Sequence, residues 1–195
     1  QSSPLEKVAL SMHLLQAIKT IVHQNLLKAS EKARKGKRYK QTCAAFELNL
    51  ENELVSLERE LLEMNYRHGR YRQFLVYDPK QRIISAAPYR DRVVHHALCR
   101  VIEQLFERSF IYDSYACRKG KGAHKAVDRY TQYARRYKYV LKCDIRKYFQ
   151  TIDQQILKTI LFRKIRCKKT RWLIEQIVDS HEDLNEGVYF PGDTL

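Results

Sequence analysis

The sequence predicts an α+β fold in which amphipathic helices precede a short β-ribbon, more helices follow, and a strand ends on an acidic residue, Asp144. Three observations carry that expectation. Apolar residues recur at helical intervals from Leu5 to Leu26, from Phe46 to Met64 and from Val93 to Phe106. The period falls to two on either side of Asp78-Pro79-Lys80-Gln81. A second two-residue alternation runs from Tyr139 to Ile145. The 195 residues suffice for one large domain or two small ones with a sizeable core. The changes of period divide them into a helical region 1–69, a ribbon-and-helix region 70–137 and the Asp144 region 138–195.

Ser3-Pro4-Leu5-Glu6 has capping-box spacing with proline at the first helical position. Leu5, Val8, Met12, Leu15, Ile18, Val22 and Leu26 then form one apolar stripe, which runs into Lys32-Ala33-Arg34-Lys35-Gly36-Lys37-Arg38. Positive charges suit a helix C-terminus and Gly36 suits its stop. Phe46, Leu50, Leu54, Leu57, Leu61 and Met64 make a second core-facing helix, ending near Gly69. From Arg70, Tyr71, Gln73, Leu75 and Tyr77 fall on one side of a strand and Arg72, Phe74 and Val76 on the other; Arg82 to Ala87 is its partner. Lys80 and Arg82 thus lie near the ribbon's tip.

Arg90 to Glu107 reads as a strongly striped helix, with Val93, Val94, Ala97, Leu98, Val101, Ile102, Leu105 and Phe106 inward. His95 and His96 diverge by about 100° on that helix, which makes them packing or polar residues and a poor chelate. Ile152–Lys164 and Arg171–Ser180 also read as helices, the first capped by Asp153. The stretch from Asn185 through Pro191-Gly192 is turn-rich.

The formal charge of +15, from 37 Lys and Arg against 22 Asp and Glu, points to a polyanionic partner. The cations are densest over Lys28–Lys40 and Arg118–Lys147, and 13 tyrosines supply stacking surfaces, so nucleic acid is the favoured partner. No run of apolar residues spans a bilayer and no signal sequence is evident, which argues against a membrane. Five cysteines without Cys-x-x-Cys spacing suggest neither disulfides nor zinc, and a reducing cytoplasm follows. Cys99 and Cys143 fall within apolar patterns and read as small buried thiols.

Two segments carry chemistry. A carboxylate at the end of the Tyr139–Asp144 alternation is a hard oxygen ligand for Mg²⁺, and Phe149, five positions on, suits the floor of a sugar pocket. Arg118-Lys119-Gly120-Lys121-Gly122-Ala123-His124 interleaves glycines with cations just before a helix, which lets backbone amides approach a phosphate; it lacks the spacing of a nucleotide P-loop.

Four ordered blocks, Asp78–Ile84, Tyr89–Leu98, Asp113–His124 and Leu141–Phe149, together resemble bacterial reverse transcriptases, most closely those of diversity-generating retroelements. Group II intron and retron enzymes share a looser version. The resemblance covers most of the chain from Lys28 onward and implies fingers over 70–137 and part of a palm over 138–195. It implies that Asp144 is a catalytic carboxylate, that the Ile145 carbonyl assists the same Mg²⁺ and that the complete enzyme uses two ions. It likewise implies nucleotide contacts from Lys80, Arg82, Tyr148 and Phe149, and nucleic-acid contacts from Arg90, Arg92, Arg118, Lys119, Gly120, Lys121, Gly122 and His124.

The expected partners are an RNA template, a DNA or RNA primer, deoxynucleotides and a small basic helical accessory protein. Two features depart from the family: Lys80 and Arg82 are only one residue apart, and the later Tyr-x-Asp-Asp block is absent. The chain therefore reads as a piece of a longer protein, with Gln1 in place of an initiator methionine, that binds nucleic acid weakly and does not polymerise. A maturase-like RNA-binding protein without polymerase chemistry is the alternative. A helical scaffold for a protein partner accounts for the first two stripes and not for the Asp144 segment or the basic glycine loop.

Overall fold

The computed structural model describes residues 22–77, 81–145 and 148–180, so the expected capping box at Ser3, the apolar stripe from Leu5 to Ile18, the expected ribbon tip and the segment from Asn185 to Gly192 lie outside the described residues. Helix α1 (22–34) leads through a turn to α2 (Gln41–Leu48) and α3 (Leu50–Glu63). Strands β1 (Arg72–Val76) and β2 (Arg82–Ala86) pair antiparallel, with Arg72 opposite Ala86 and Val76 opposite Arg82. They are followed by α4 (Tyr89–Glu107), α5 (Ala123–Ala134), the single turn α6 (Tyr148–Thr151), α7 (Gln154–Lys164) and α8 (Lys168–Asp179). The fold is mixed and mainly helical, with one two-stranded sheet among the described residues.

The core forms where apolar stripes of α1, α2, α3 and α4 converge. Leu26, Ala29 and Ala33 recur at helical spacing on α1 and meet Cys43, Phe46, Leu54 and Leu57 from the next two helices and Val93, Val94 and Ala97 from α4. Phe46 packs edge-on against Tyr89 with ring centroids 5.2 Å apart. Helix α8 closes this cluster from much later in the chain, contributing Ile177 with Trp172 and Leu173 beside it.

Arg90 ties α4 to α3. Its guanidinium donates to both carboxylate oxygens of Glu60, at 2.7 and 3.0 Å, and to Glu53 Oε2 at 3.2 Å and Ser56 Oγ at 3.4 Å. A lysine has one point charge and cannot reproduce that fork. Arg90→Lys is expected to lower stability by about 1–2 kcal/mol, since the pair is only partly shielded from water; urea unfolding of the two proteins checks it.

Three expectations are corrected. The stripe from Phe46 to Met64 is two helices, because Asn49 leaves helical geometry (φ −119°, ψ 29°) and its side-chain oxygen accepts from Asn52 at 2.7 Å. Asparagine offers the backbone such a local alternative to the helix. On α4 only the first half of the stripe is covered: Val101 and Leu105 are 51% and 47% exposed. The alternating run from Tyr139 to Ile145 is not a strand. A strand exists only through hydrogen bonds to a neighbour, and no described segment pairs with this one. Tyr139, Val140, Leu141 and Ile145, drawn from both faces of the alternation, are all more than half exposed.

Candidate nucleic-acid interface

The basic glycine loop forms before α5, as its composition implies. Gly120 (φ 74°) and Gly122 (φ 106°) occupy backbone conformations that disfavour side chains. Gly122 N–H donates to Tyr115 O at 3.2 Å, and its own carbonyl accepts the first helical bond from Ala126 at 3.1 Å. The cations around it organise the loop. Arg118 donates to Glu107 (2.7 Å) and to the carbonyls of Ile111 and Ser114 (both 2.9 Å). Hydrogen bonding to Arg118 holds the Glu107 carboxyl below its ordinary range. Lys121 donates to Tyr112 O at 2.7 Å and stands 3.7 Å from the centre of the Tyr112 ring. Lys119 is exposed beside a groove that Lys32, Arg100 and Glu103 also line, and His124 is exposed in the first turn of α5.

A second set of residues extends this surface along α5. No residue of α5 is buried, and from Lys125 to Lys142 the chain carries Lys125, Arg129, Arg135, Arg136, Lys138 and Lys142 against the single acid Asp128. Arg129 is held by Asp113 at 2.9 Å and lies over the Tyr133 ring. Arg135, Arg136 and Lys138 are exposed and form no ion pair among the described residues. Tyr130, Tyr133, Tyr137 and Tyr139 are exposed among these cations, with the Tyr133 and Tyr137 rings 6.0 Å apart. Rings and cations gathered on α5 and on the chain that leaves its C-terminal end supply stacking and phosphate neutralisation together. The sequence shows the charge density and the tyrosine content, not that they gather on this helix and the segment after it. The repeated Tyr-x-x-Tyr spacing of Tyr130 and Tyr133, with Tyr137 four residues later, was the available signal for one helical face.

The remaining expected site residues are dispersed. Lys80 and the side chains of Arg82 and Phe149 lie outside the described residues. Tyr148 opens α6 and is 48% exposed. Arg90 is engaged with α3, and the Arg92 guanidinium lies over the Tyr89 ring at 5.4 Å. Asp153 caps α7 as expected, accepting from Ile156 N–H at 2.9 Å. Cys99 and Cys143 are exposed, contrary to the expectation of buried thiols: Cys99 lies off the covered face of α4, and Cys143 sits in the unpaired segment.

Asp144 is exposed, and its Oδ1 accepts from the Ile145 amide at 3.0 Å. Mg²⁺ takes near-octahedral oxygen coordination. One carboxylate and one backbone carbonyl do not make that set, and no group of three or more His, Cys, Asp or Glu side chains among the described residues is placed to hold a metal ion. The described residues alone therefore do not fit a Mg²⁺ centre.

The adjacent histidines part company, as their angular separation requires. His68 Nδ1–H donates to Gly69 O at 2.6 Å, because a carbonyl only accepts, which leaves His68 Nε2 to accept from His95 Nε2–H at 3.1 Å. Burial, with His68, His96 and Arg92 nearby, pushes His95 down to about 3; burial and the cations Lys32, Lys37 and Arg92 push His96 down to about 4. A histidine depressed in the folded protein gains its proton first in the unfolded chain, so its stabilisation is present above the unfolded value of about 6.5 and is lost as pH falls toward the folded value. Stability is expected to fall on acidification below about pH 6.5, by up to about 1.4 kcal/mol per pH unit from His95 alone. Urea midpoints measured across that range should drop for the wild type and drop less for His95→Gln.

No protein-family model matches the chain. The chain is similar to a plant intron maturase. The relative is nuclear intron maturase 1, mitochondrial, of Arabidopsis thaliana, 25% identical over 126 residues, which are 64% of this chain. The match covers 17% of the maturase, so the chain spans at most a small part of that relative. No helix among the described residues is long and apolar enough to cross a membrane.

Proposed function

We propose that this chain is an RNA-binding portion of a protein related to intron maturases and reverse transcriptases, and that it holds RNA along α5 and the basic glycine loop. The observation that carries the reading is the exposed C-terminal end of α5 and the segment that follows it, where Arg135, Arg136 and Lys138 stand among Tyr130, Tyr133, Tyr137 and Tyr139. The similarity to an intron maturase supports RNA as the polyanion.

The finer reading is RNA-directed DNA synthesis, of the diversity-generating retroelement type, by a complete polymerase centre in which Asp144 is one of several carboxylates. The motif Leu141–Phe149, with Asp144 exposed among the described residues, is what supports it. Lys80, Arg82, Tyr148 and Phe149 would then face the nucleotide. The maturase-like reading needs none of these residues to touch a nucleotide.

Fluorescence anisotropy of a labelled single-stranded RNA with the purified chain tests the proposal. Binding that weakens steeply with salt is expected, with Asp144→Ala binding as the wild type does. The same chain is expected to incorporate no deoxynucleotide on a primed RNA in Mg²⁺. Salt-insensitive binding, or none at low salt, would overturn the RNA-binding reading.

A further inference from the structure

Asp113 is an exposed carboxylate in the loop before α5, on the same surface as the cations and rings described above. An acid placed there repels a phosphate backbone and, on charge alone, weakens binding. Its two oxygens instead collect side chains from both the loop and the helix. Oδ1 accepts from the Tyr115 hydroxyl at 3.0 Å and from Arg129 Nε at 2.9 Å. Oδ2 accepts from Arg129 Nη2 and from the Tyr133 hydroxyl, both at 3.4 Å. Arg129 Nη2 also donates to the Tyr133 hydroxyl at 3.0 Å. Arg129 and Tyr133 stand one turn apart on α5, 16 and 20 residues beyond Asp113, so this one carboxylate ties the loop to the helix.

The rings in this arrangement are open to solvent. The Arg129 guanidinium lies 4.7 Å from the centre of the Tyr133 ring and 5.6 Å from that of Tyr112, the ring that also receives Lys121. Tyr112 is 72% exposed and Tyr133 40%, and the Tyr137 ring follows one turn further along. A guanidinium is a flat fork whose plane is set by its acceptors, so Asp113 fixes where Arg129 lies against both rings. An exposed ion pair adds little to folding stability. Its effect here is on geometry, because side chains already held in place lose less freedom when a base stacks on them.

We propose that Asp113 is a positioning residue for RNA binding, which holds Arg129 and Tyr133 of α5 in register with Tyr112 of the loop so that the surface takes the bases of a single strand and not a duplex. This role rests on the RNA-binding reading above. Bases in a duplex are stacked on one another and offer no open face, whereas those of a single strand can stack on rings.

The test measures anisotropy of a labelled single-stranded RNA and of a labelled RNA duplex with the whole chain, Asp113→Ala and Asp128→Ala. Asp128 is exposed on the same helix and forms no ion pair among the described residues, so its removal changes the charge alone. Asp128→Ala is expected to bind both RNAs as tightly as the wild type or more tightly. Asp113→Ala makes the same change of charge, yet it is expected to lose roughly three- to tenfold in affinity for the single strand, with duplex affinity unchanged or higher. Its melting temperature should stay within about 3 °C of the wild type. Tyr133→Phe keeps the ring and removes the hydroxyl that Asp113 and Arg129 hold. It should weaken single-strand binding by less, and it carries the comparison should Asp113→Ala fail to fold.

Single-strand affinity in Asp113→Ala equal to or tighter than that of the wild type would overturn the proposal and leave the proposed function standing. So would equal weakening toward single strand and duplex, the mark of a merely structural role. A wild-type chain that binds neither RNA removes the RNA-binding reading, and the positioning role with it.

Discussion

Asp91→Ala is expected to destabilise the protein by about 3–4 kcal/mol, a large part of the margin of an ordinary domain. Asp91 is 3% exposed, and its two carboxylate oxygens each hold one donor: the Tyr66 hydroxyl at 2.6 Å and the Gly69 amide at 3.1 Å. Its place in the first turn of α4 sets the negative charge at the helix's positive end. Tyr66 is itself 1% exposed, and burial followed by Asp91 drives its hydroxyl far above the usual phenol range, so it stays a donor. Removing the carboxylate leaves both donors without an acceptor in a dry setting.

Asp91→Asn separates geometry from charge. The amide oxygen can accept from Gly69 while Nδ2 donates to the Tyr66 oxygen, which keeps two contacts but removes charge assistance and turns the Tyr66 hydroxyl proton away from its acceptor, so about 1–2 kcal/mol is expected, less than for alanine. Gly69→Ala attacks the same arrangement from the other side. A Cβ there would lie 2.9 Å from Asp91 Oδ2 and 3.0 Å from Pro88 Cγ, and neither neighbour is free to retreat. A destabilisation of about 1–3 kcal/mol follows from the overpacking. Urea midpoints at constant slope measure all three; an Asp91→Ala protein as stable as the Asn variant would refute the account.

The double substitution Arg135→Glu with Arg136→Glu is expected to weaken RNA binding at least tenfold, roughly the effect of leaving two or more phosphates without a cation. Both side chains are exposed, so folding stability should change by no more than about 0.5 kcal/mol. The logarithmic salt slope should become shallower by about 0.7 for each phosphate of a single strand that is no longer neutralised. Tyr130→Ala or Tyr137→Ala should weaken binding by about 1–3 kcal/mol without altering that slope, because a stacked ring releases no counterions. Salt titrations of anisotropy on these variants distinguish charge neutralisation from stacking, and an unchanged affinity in the charge-reversed protein would exclude the C-terminal end of α5 as the interface.

What the sequence made legible follows from which interactions are local. The ribbon was readable because the two-residue period and the Asp78-Pro79 turn both belong to it, and the pairing of Arg72 with Ala86 needs nothing outside it. The first half of α4 was readable because Val93, Val94 and Ala97 repeat at one helical face. The interruption at Asn49 was hidden because the apolar spacing runs straight through it. The run from Tyr139 to Ile145 has the pattern of a strand, and pattern cannot supply a partner.

The site shows the same division. The loop around Gly120 and Gly122 was legible from composition, whereas the division of labour among its cations was not. In the sequence, Arg118 and Arg135 look alike, yet one is locked against Glu107 and two carbonyls and the other faces water. Asp91 was visible only as an acid in a first helical turn, because its partners lie 22 and 25 residues away along the chain.

Helix α8 reaches back to the opening helices through Ile177 in their core, through Lys169 Nζ donating to Leu62 O at 2.8 Å and through the Tyr71 and Ser180 hydroxyls 3.4 Å apart. These contacts span more than a hundred residues, which puts a schedule on biosynthesis. While the chain is being made, the cluster formed by α1 to α4 lacks its last wall until α8 has cleared the ribosome. Nascent chains halted before Lys168 emerges should keep that apolar side open to chaperones, and those halted after Ser180 emerges should bury it.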